Sequence, residues 1–211
     1  MNFLSKLNKS RQIILEMLDI RGYKTDNYSQ FTIDEIDTMF RNMDSKINYN
    51  NMPLDIICNN TNNKIIVKYI LHTKIRSQNL KTLLNDMIEN EIVNNEDEVI
   101  IIVKDKVNNL DLDNILDSYY NNNGIFVQLF SIEKLLINIT KHVLVPKLRI
   151  LSKEESKEIL NKFNLSDYNK LPLILKSDPQ AKFCGVKSTD VVEITRPSET
   201  SGTYKSYRYC V

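Results

Sequence analysis

Apolar positions fall first into a helical rhythm and then into alternating strand and helix segments. Leu4, Leu7, Ile14, Leu15 and Leu18 recur at helical spacing, and Gly22 stands where a glycine would end that helix. Thr32-Ile33-Asp34-Glu35 reads as a capping box, with Ile33, Ile36, Met39 and Phe40 on one face of a second helix that packs on the first. A short apolar run over 54–58, an asparagine turn over 59–63 and a β-branched run over 64–71 predict a hairpin. Ser77 is placed to cap a helix carrying Leu80, Leu83, Leu84, Met87 and Ile88. Residues 98–103 then read as a strand buried on both faces. Leu112, Ile115, Leu116 and Tyr119 mark another helix over 110–120, broken by 121–124 and followed by a strand over 125–130. Strand, helix, strand, helix, strand implies right-handed crossovers and a partly parallel sheet.

The pattern then changes character. Ser152-Lys153-Glu154-Glu155 is a second capping box, opening a helix with Ile159, Leu160 and Phe163. Asp178-Pro179 sets an N-cap before a proline at the first helical position, and Gly185 closes that short helix. Residues 191–195 and 204–211 read as strands joined by a turn over 197–202. Tyr207, Tyr209 and Val211 share one strand face and Arg208 points the other way. A domain boundary falls between Thr140 and Pro146. The fold class is mixed α/β: an N-terminal domain, 1–140, with a hairpin and βαβ sheet, and a small mixed-sheet C-terminal domain, 141–211.

With 211 residues there is chain enough for two such cores. Hydrophobic residues are 42% and charged residues 26%, the balance of a soluble globular protein. The net charge of +1 excludes a surface that grips nucleic acid all over, though not one small basic face. With Gly at 4 and Pro at 5, most of the chain is expected in regular structure. Abundant Asn, Ile and Lys fit A/T-rich coding. Cys58, Cys184 and Cys210 are too scattered for a zinc site and read as free thiols, so no metal and no cofactor is expected. No apolar run approaches a membrane span and the N-terminus has no signal-peptide pattern, so the chain reads as intracellular and soluble.

Candidate chemistry is thin. A hairpin joined to βαβ units is the frame of nucleases that hold a divalent metal between two carboxylates, with a Lys supporting the attacking water. Asp55 and Lys68 suit such a site, but Ile66 stands where the second carboxylate is needed, and a hydrocarbon cannot ligate a hard cation. Catalytic residues are therefore expected to be none. Asp55 is read as a strand-edge or turn residue. His142 reads as a histidine packed at a domain junction, and His72 as a strand-end surface residue. No phosphate-cradling glycine motif is present. Lys74, Arg76 and Lys81, with Lys104 and Lys106, are the DNA-facing candidates, because basic groups near loop ends contact phosphates without reading sequence. The plainer reading of each is a solvated charged surface.

Three ordered blocks carry a resemblance. They are Leu136-Ile137-Asn138-Ile139-Thr140-Lys141-His142-Val143-Leu144-Val145-Pro146; Leu171-Pro172-Leu173-Ile174 with the run from Ser177 to Lys187; and the run from Arg196 to Tyr209. Together they resemble the fifth-largest subunit shared by eukaryotic RNA polymerases, a family that includes its smaller archaeal counterpart. Arg21-Gly22-Tyr23 resembles the family's Arg-Gly-Tyr after the first helix. The resemblance implies a non-catalytic subunit of a DNA-directed RNA polymerase, not itself an enzyme, with a nuclease-like N-terminal jaw beside downstream duplex DNA and a C-terminal assembly domain. Its implied partners are the largest polymerase subunit, neighbouring polymerase subunits and, weakly and without sequence preference, downstream DNA; no membrane is involved. The implied partner-binding set is Asp178, Pro179, Gly185, Arg196, Pro197, Ser198, Glu199, Thr200, Gly202, Tyr207 and Arg208. Arg196, Glu199 and Arg208 would present paired charges, and Tyr204, Tyr207 and Tyr209 aromatic surface. The alternative from the residues alone is a metal-dependent nuclease on the N-terminal domain; a third reading is a free-standing transcription regulator that borrows the assembly domain.

The chain departs from the family in three places. Lys187-Ser188-Thr189-Asp190 lacks the glycine usual in that turn, Leu173 stands where Arg is frequent, and Lys106-Val107-Asn108-Asn109 replaces a Thr-Pro-Ser-Ala-like stretch. Divergence and composition point to a viral version or an AT-rich unicellular eukaryote. That implies virion and host cytoplasm in the first case and nucleus in the second.

Overall fold

The computed structural model describes residues 3–28, 31–41, 55–59, 63–71, 75–95, 97–104 and 110–211. They divide into two compact units, 1–137 and 138–211. Expectations placed on Met52, Pro53, Leu54, His72, Lys74, Lys106 and the middle of the 59–63 turn lie outside the described residues.

In the first unit, helix α1 (Phe3–Ile20) buries Leu7, Ile14, Met17 and Leu18 along one stripe. It ends as its sequence requires. Gly22 takes φ 85, the Tyr23 amide donates to the Leu18 carbonyl, and the Gly22 amide to that of Asp19. These paired bonds satisfy carbonyls the helix would leave open. Helix α2 (Ile33–Arg41) packs on α1. Its capping box is formed: the Thr32 amide donates to Glu35 Oε2 at 2.7 Å and the Glu35 amide to Thr32 Oγ1 at 3.4 Å. Bonds from Thr32, backbone first and then hydroxyl, hold the Glu35 carboxyl below its usual range.

The sheet follows the βαβ reading. Strands β1 (Ile56–Asn59) and β2 (Lys64–Ile70) form the antiparallel hairpin. Then β2, β3 (Glu98–Val103) and β4 (Phe126–Ser131) run parallel, in the order β1-β2-β3-β4. Helices α3 (Ser77–Glu89) and α4 (Leu110–Asn123) are the crossovers. Ser77 is the first residue of α3 and not its cap; Arg76 holds the N-cap position, without a side-chain capping bond. One sheet face, with Ile66, Ile70, Val99, Ile101, Val127 and Leu129, packs on Leu80, Leu83, Leu84 and Met87 of α3 and Leu112, Ile115 and Leu116 of α4. The register puts Tyr69, Glu98 and Gln128 on the other face, toward α1.

Two polar anchors fix α1 there. At its C-terminal end Arg21 donates to Gln128 Oε1 at 2.6 Å and to Glu98 Oε2 at 3.4 Å, with its side chain 4% exposed. Mid-helix, buried Arg11 lies 5.3 Å from the Phe31 ring centroid and hydrogen-bonds with the buried Tyr69 hydroxyl. Burial lowers the Arg11 pKa, and Tyr69 is first among the groups that oppose the shift. At the sheet edge the Tyr28 hydroxyl accepts from the Ile57 amide at 3.2 Å and donates to the Ile57 carbonyl at 3.1 Å. That occupies backbone groups an edge strand would otherwise offer to another chain.

The second unit is a four-stranded sheet in the order β5 (Lys147–Ile150), β7 (Val191–Ser198), β8 (Gly202–Cys210), β6 (Leu173–Ile174). Helix α5 (Lys153–Lys162) opens on the expected capping box, with Ser152 and Glu155 bonded reciprocally. Helix α6 (Pro179–Cys184) is capped by Asp178, which accepts from the Gln180 and Ala181 amides, and is closed by Gly185 at φ 77. Leu151, Leu171, Val191, Ile159, Tyr168, Tyr207 and Tyr209 form the core against one face. Ile174, Ala181, Val186, Val192, Ile194 and Cys210 form it against the other. The connection between β7 and β8 is shorter than the sequence suggests. Pro197 and Ser198 lie inside the ladder, opposite Thr203 and Gly202, so only residues 199–201 turn. Cys58, Cys184 and Cys210 are free thiols, Cys184 only half-buried. Burial, reinforced by the Asp190 carboxylate, raises the Cys210 thiol to about 11.

In the turn where a glycine is usual, Thr189 itself takes the left-handed conformation, φ 76. The Thr189 amide donates to the Cys210 carbonyl, the Cys210 amide to the Asp190 carbonyl, and the Lys187 amide to Asp190 Oδ2 at 2.7 Å. These bonds keep a β-branched residue where its side chain crowds the backbone. Thr189→Gly, and Thr189→Asn with less entropy lost on folding, should stabilise the protein by up to about 1 kcal/mol in chemical denaturation. Arg21→Ala should cost about 2–4 kcal/mol in the same measurement, since it strips a buried carboxylate and a buried amide of their cationic donor.

Candidate partner-docking surface

The β7–β8 hairpin projects beyond its own sheet. Strand β5 pairs with β7 only as far as Thr195, and β6 pairs with β8 only at Tyr209 and Cys210. Residues 196–204 are therefore a two-stranded ribbon. Arg196, Pro197, Glu199, Thr200, Gly202 and Tyr204 are exposed on it, and Ser198 is half-exposed. Its tip is knit by short polar bonds: the Ser201 amide donates to Ser198 Oγ at 3.4 Å, and the Ser198 and Thr200 hydroxyls lie 3.3 Å apart. Gly202 has φ 72, and a Cβ there would meet nothing within 4 Å, so conformation and not space calls for glycine.

Alternation decides what each strand shows. Arg196 pairs with Tyr204 and Arg208 with Val192, which puts Arg196, Tyr204 and Arg208 on one face. The two arginines are separated by about four residues of strand, ~13 Å. Arg208 Nη1 donates to the Leu173 carbonyl at 3.0 Å, where a charged side chain of the family is replaced by exposed Leu173. Among the described residues Arg196 and Glu199 make no ion pair with each other. Tyr207 and Tyr209 turn to the opposite face and pack inward. Tyr209 stacks on Tyr168 with centroids 5.8 Å apart, and Tyr207 lies 5.9 Å from Phe163. Of the three tyrosines expected as aromatic surface, Tyr204 alone is exposed, at 59%.

The sequence reading missed the charge network on that inner face. Glu193, 8% exposed, sits 3.2 Å from Lys205 Nζ and 3.6 Å from Arg149 Nε, and accepts from the Tyr207 hydroxyl at 3.3 Å. Arg149 also reaches Glu155 at 2.7 Å. The Ser152 amide, then Arg149, holds the Glu155 carboxyl below its usual range. Burial, then the Glu193 carboxylate, pushes the Tyr207 hydroxyl upward. A signal was present: Glu193 interrupts an apolar strand at an inward position of the alternation. Asp178, Pro179 and Gly185 lie apart from the ribbon, as the cap, first turn and end of α6.

In the first unit, Asp55 and Lys68 do meet. Lys68 Nζ is 3.3 Å from Asp55 Oδ2, with both side chains under a tenth exposed, while Ile66 belongs to the α3–α4 core. Asp55 is thus one half of a buried ion pair and not the strand-edge or turn carboxylate expected. Among the described residues no group of three or more His, Cys, Asp or Glu side chains could hold a metal ion. Arg76 and Lys81 are exposed at the start of α3. Lys104 is exposed just after β3, its Nζ 5.1 Å from the Phe3 ring centroid. Ile70 and Val103 are register partners, so Arg76 and Lys104 both follow strand ends at the carboxyl edge of the sheet. Lys74 and Lys106 lie outside the described residues.

Comparison with known proteins bears on the second unit. Residues 137–210 match the family model described as RNA polymerase Rpb5, C-terminal domain. The chain is 45% identical over 87 residues to the protein named DNA-directed RNA polymerases I, II, and III subunit rpabc1 of Dictyostelium discoideum, covering 41% of this chain and 44% of that one. It is 44% identical over 78 residues to the correspondingly named subunit of Caenorhabditis briggsae, covering 37% and 36%. The chain thus spans less than half the length of these curated relatives. Sheet, caps and hairpin of the second unit coincide with the matched stretch, and the chain carries a domain of the RNA polymerase Rpb5 C-terminal family.

Proposed function

We propose that this chain is a non-catalytic subunit of a multisubunit DNA-directed RNA polymerase. The second unit anchors it to the largest subunit, and the first is a jaw near downstream DNA. The observation that carries the reading is the family match over residues 137–210, reinforced by relatives named as shared polymerase subunits. The ribbon supports it physically. Arg196, Pro197, Glu199, Thr200 and Tyr204 are held out by a rigid hairpin whose inner face is already spent on Glu193 and the tyrosine core. A preorganised polar tip beside one exposed tyrosine suits protein contact. The Asp55–Lys68 pair supports a positional role over the nuclease alternative, because the carboxylate that would bind metal is engaged with the lysine that would assist water.

The jaw role rests on Arg76, Lys81 and Lys104, few enough that DNA contact would be weak and independent of sequence. Such a subunit works in the compartment where its polymerase transcribes: the nucleus for a cellular enzyme, host cytoplasm and virion for a viral one. No helix among the described residues is long and apolar enough to cross a membrane.

A tagged full-length chain, purified from its native cell or infected host, should recover the two large polymerase subunits in stoichiometric amounts. The pair Glu199→Lys/Arg208→Glu should lose them while keeping its thermal midpoint; recovery of the chain alone from wild type would overturn the reading. Arg76→Ala/Lys81→Ala in the assembled polymerase should lower the salt slope of downstream-DNA binding by about one unit for each phosphate no longer neutralised.

A further inference from the structure

The block from Leu136 to Pro146 stands outside the docking set above, yet it holds the two most exposed large apolar side chains of the described residues: Val143 at 97% and Leu144 at 85%. They occupy the corner of a built turn. The Val145 amide donates to the His142 carbonyl at 2.9 Å, and the Leu144 amide to His142 Nδ1 at 3.2 Å. Asn138 caps the preceding 3-10 turn (Ile139–Lys141), its side chain accepting from the Thr140 amide at 3.0 Å. On the far side Gln180 Nε2 of α6 donates to the Pro146 carbonyl. Turn corners are ordinarily filled by Gly, Pro, Asn, Asp or Ser, each for a backbone reason. Val and Leu meet none of those needs, so the turn holds them outward for their side chains. His142, expected as a packed junction residue, is exposed and serves as the brace of this turn.

From residue 138 to 152 the chain carries Lys141, Lys147 and Arg149 and no Asp or Glu. Arg149 is engaged by Glu155 and Glu193, whereas Lys141 and Lys147 are exposed on either side of the turn. Two aliphatic knobs between two cations call for an apolar socket with a carboxylate rim. That chemistry belongs to a protein. A lipid surface would hold them poorly, since even a whole acyl chain gives only marginal membrane binding, while two desolvated side chains at the centre of a protein interface are enough for a hot spot.

We infer that Val143 and Leu144 are the apolar anchor of the second unit, entering an acid-rimmed hydrophobic pocket on the polymerase subunit to which it docks; this rests on the polymerase-subunit reading above. The test is the same affinity purification with quantitative mass spectrometry, comparing wild type with Val143→Ser/Leu144→Ser and with Val143→Ile/Leu144→Met. Recovery of the large polymerase subunits should fall about ten-fold or more in the serine pair and be kept in the conservative pair. The thermal midpoint should not move, because both side chains are exposed. Undiminished recovery in the serine pair, with normal wild-type recovery, overturns the anchor and leaves the polymerase reading standing. A loss accompanied by a lowered midpoint would mean that the turn packs within the chain, which also overturns it. Failure of wild type to recover any polymerase subunit removes the reading and the anchor together. In flotation with phosphatidylcholine–phosphatidylserine vesicles wild type should stay unbound; binding abolished in the serine pair would assign the turn to a membrane and overturn the protein socket.

Discussion

The second unit depends on the register of one ladder. Eight residue pairs run from Val191–Tyr209 to Ser198–Gly202. In a strand pair a slip of one residue exchanges the two faces. Here that slip would turn Tyr207, Tyr209 and Val191 out of the core and carry Arg196 and Arg208 inward. Glu193 would lose Lys205 and the Tyr207 hydroxyl at the same time. The register is pinned at both ends by left-handed residues, Gly202 at the tip and Thr189 at the base, and the strained Thr189 is held by its bond to the Cys210 carbonyl. What the hairpin offers to a partner follows from this constraint.

Both units place charge where it is spent internally. Arg21 with Glu98 and Gln128, Lys68 with Asp55, and Arg149 and Lys205 with Glu193 each join elements distant in sequence. Buried pairs of this kind add little net stability over apolar packing, but breaking one is costly, so they hold an arrangement once it is formed. None of them is assembled for bond making. The groups left outward are the ribbon tip, the Val143–Leu144 turn and the few cations at the carboxyl edge of the first sheet. A chain so arranged contributes position to whatever it joins.

Much of the fold was legible because its signals are local. Gly22 ends α1, Thr32–Glu35 and Ser152–Glu155 box their helices, and Asp178-Pro179 opens α6; each depends on a few neighbouring residues and backbone sterics. Errors came where local chemistry was ambiguous. Ser77 is a good capping residue by type, yet Arg76 holds the N-cap position. Pro197 is a turn residue by habit, yet it fits the ladder opposite Thr203, where the ribbon has no third strand and needs no amide from it. The missing turn glycine hinted at an altered geometry, but the tertiary bonds around Thr189 enforce the same backbone on a worse residue.

By itself the sequence determined the helices, the strand order of the βαβ segment, the lack of a second carboxylate beside Lys68 and the family resemblance of the last third. Those depend on period, on residue type and on contiguous motifs. Only the tertiary structure decided that Asp55 is paired with Lys68, that Tyr207 and Tyr209 face inward while Tyr204 faces out, that Glu193 gathers two cations, and that Val143 and Leu144 stand in solvent. Each of those rests on what lies across a sheet or a turn from the residue in question, and exposure is a property of the surroundings that a linear pattern does not carry.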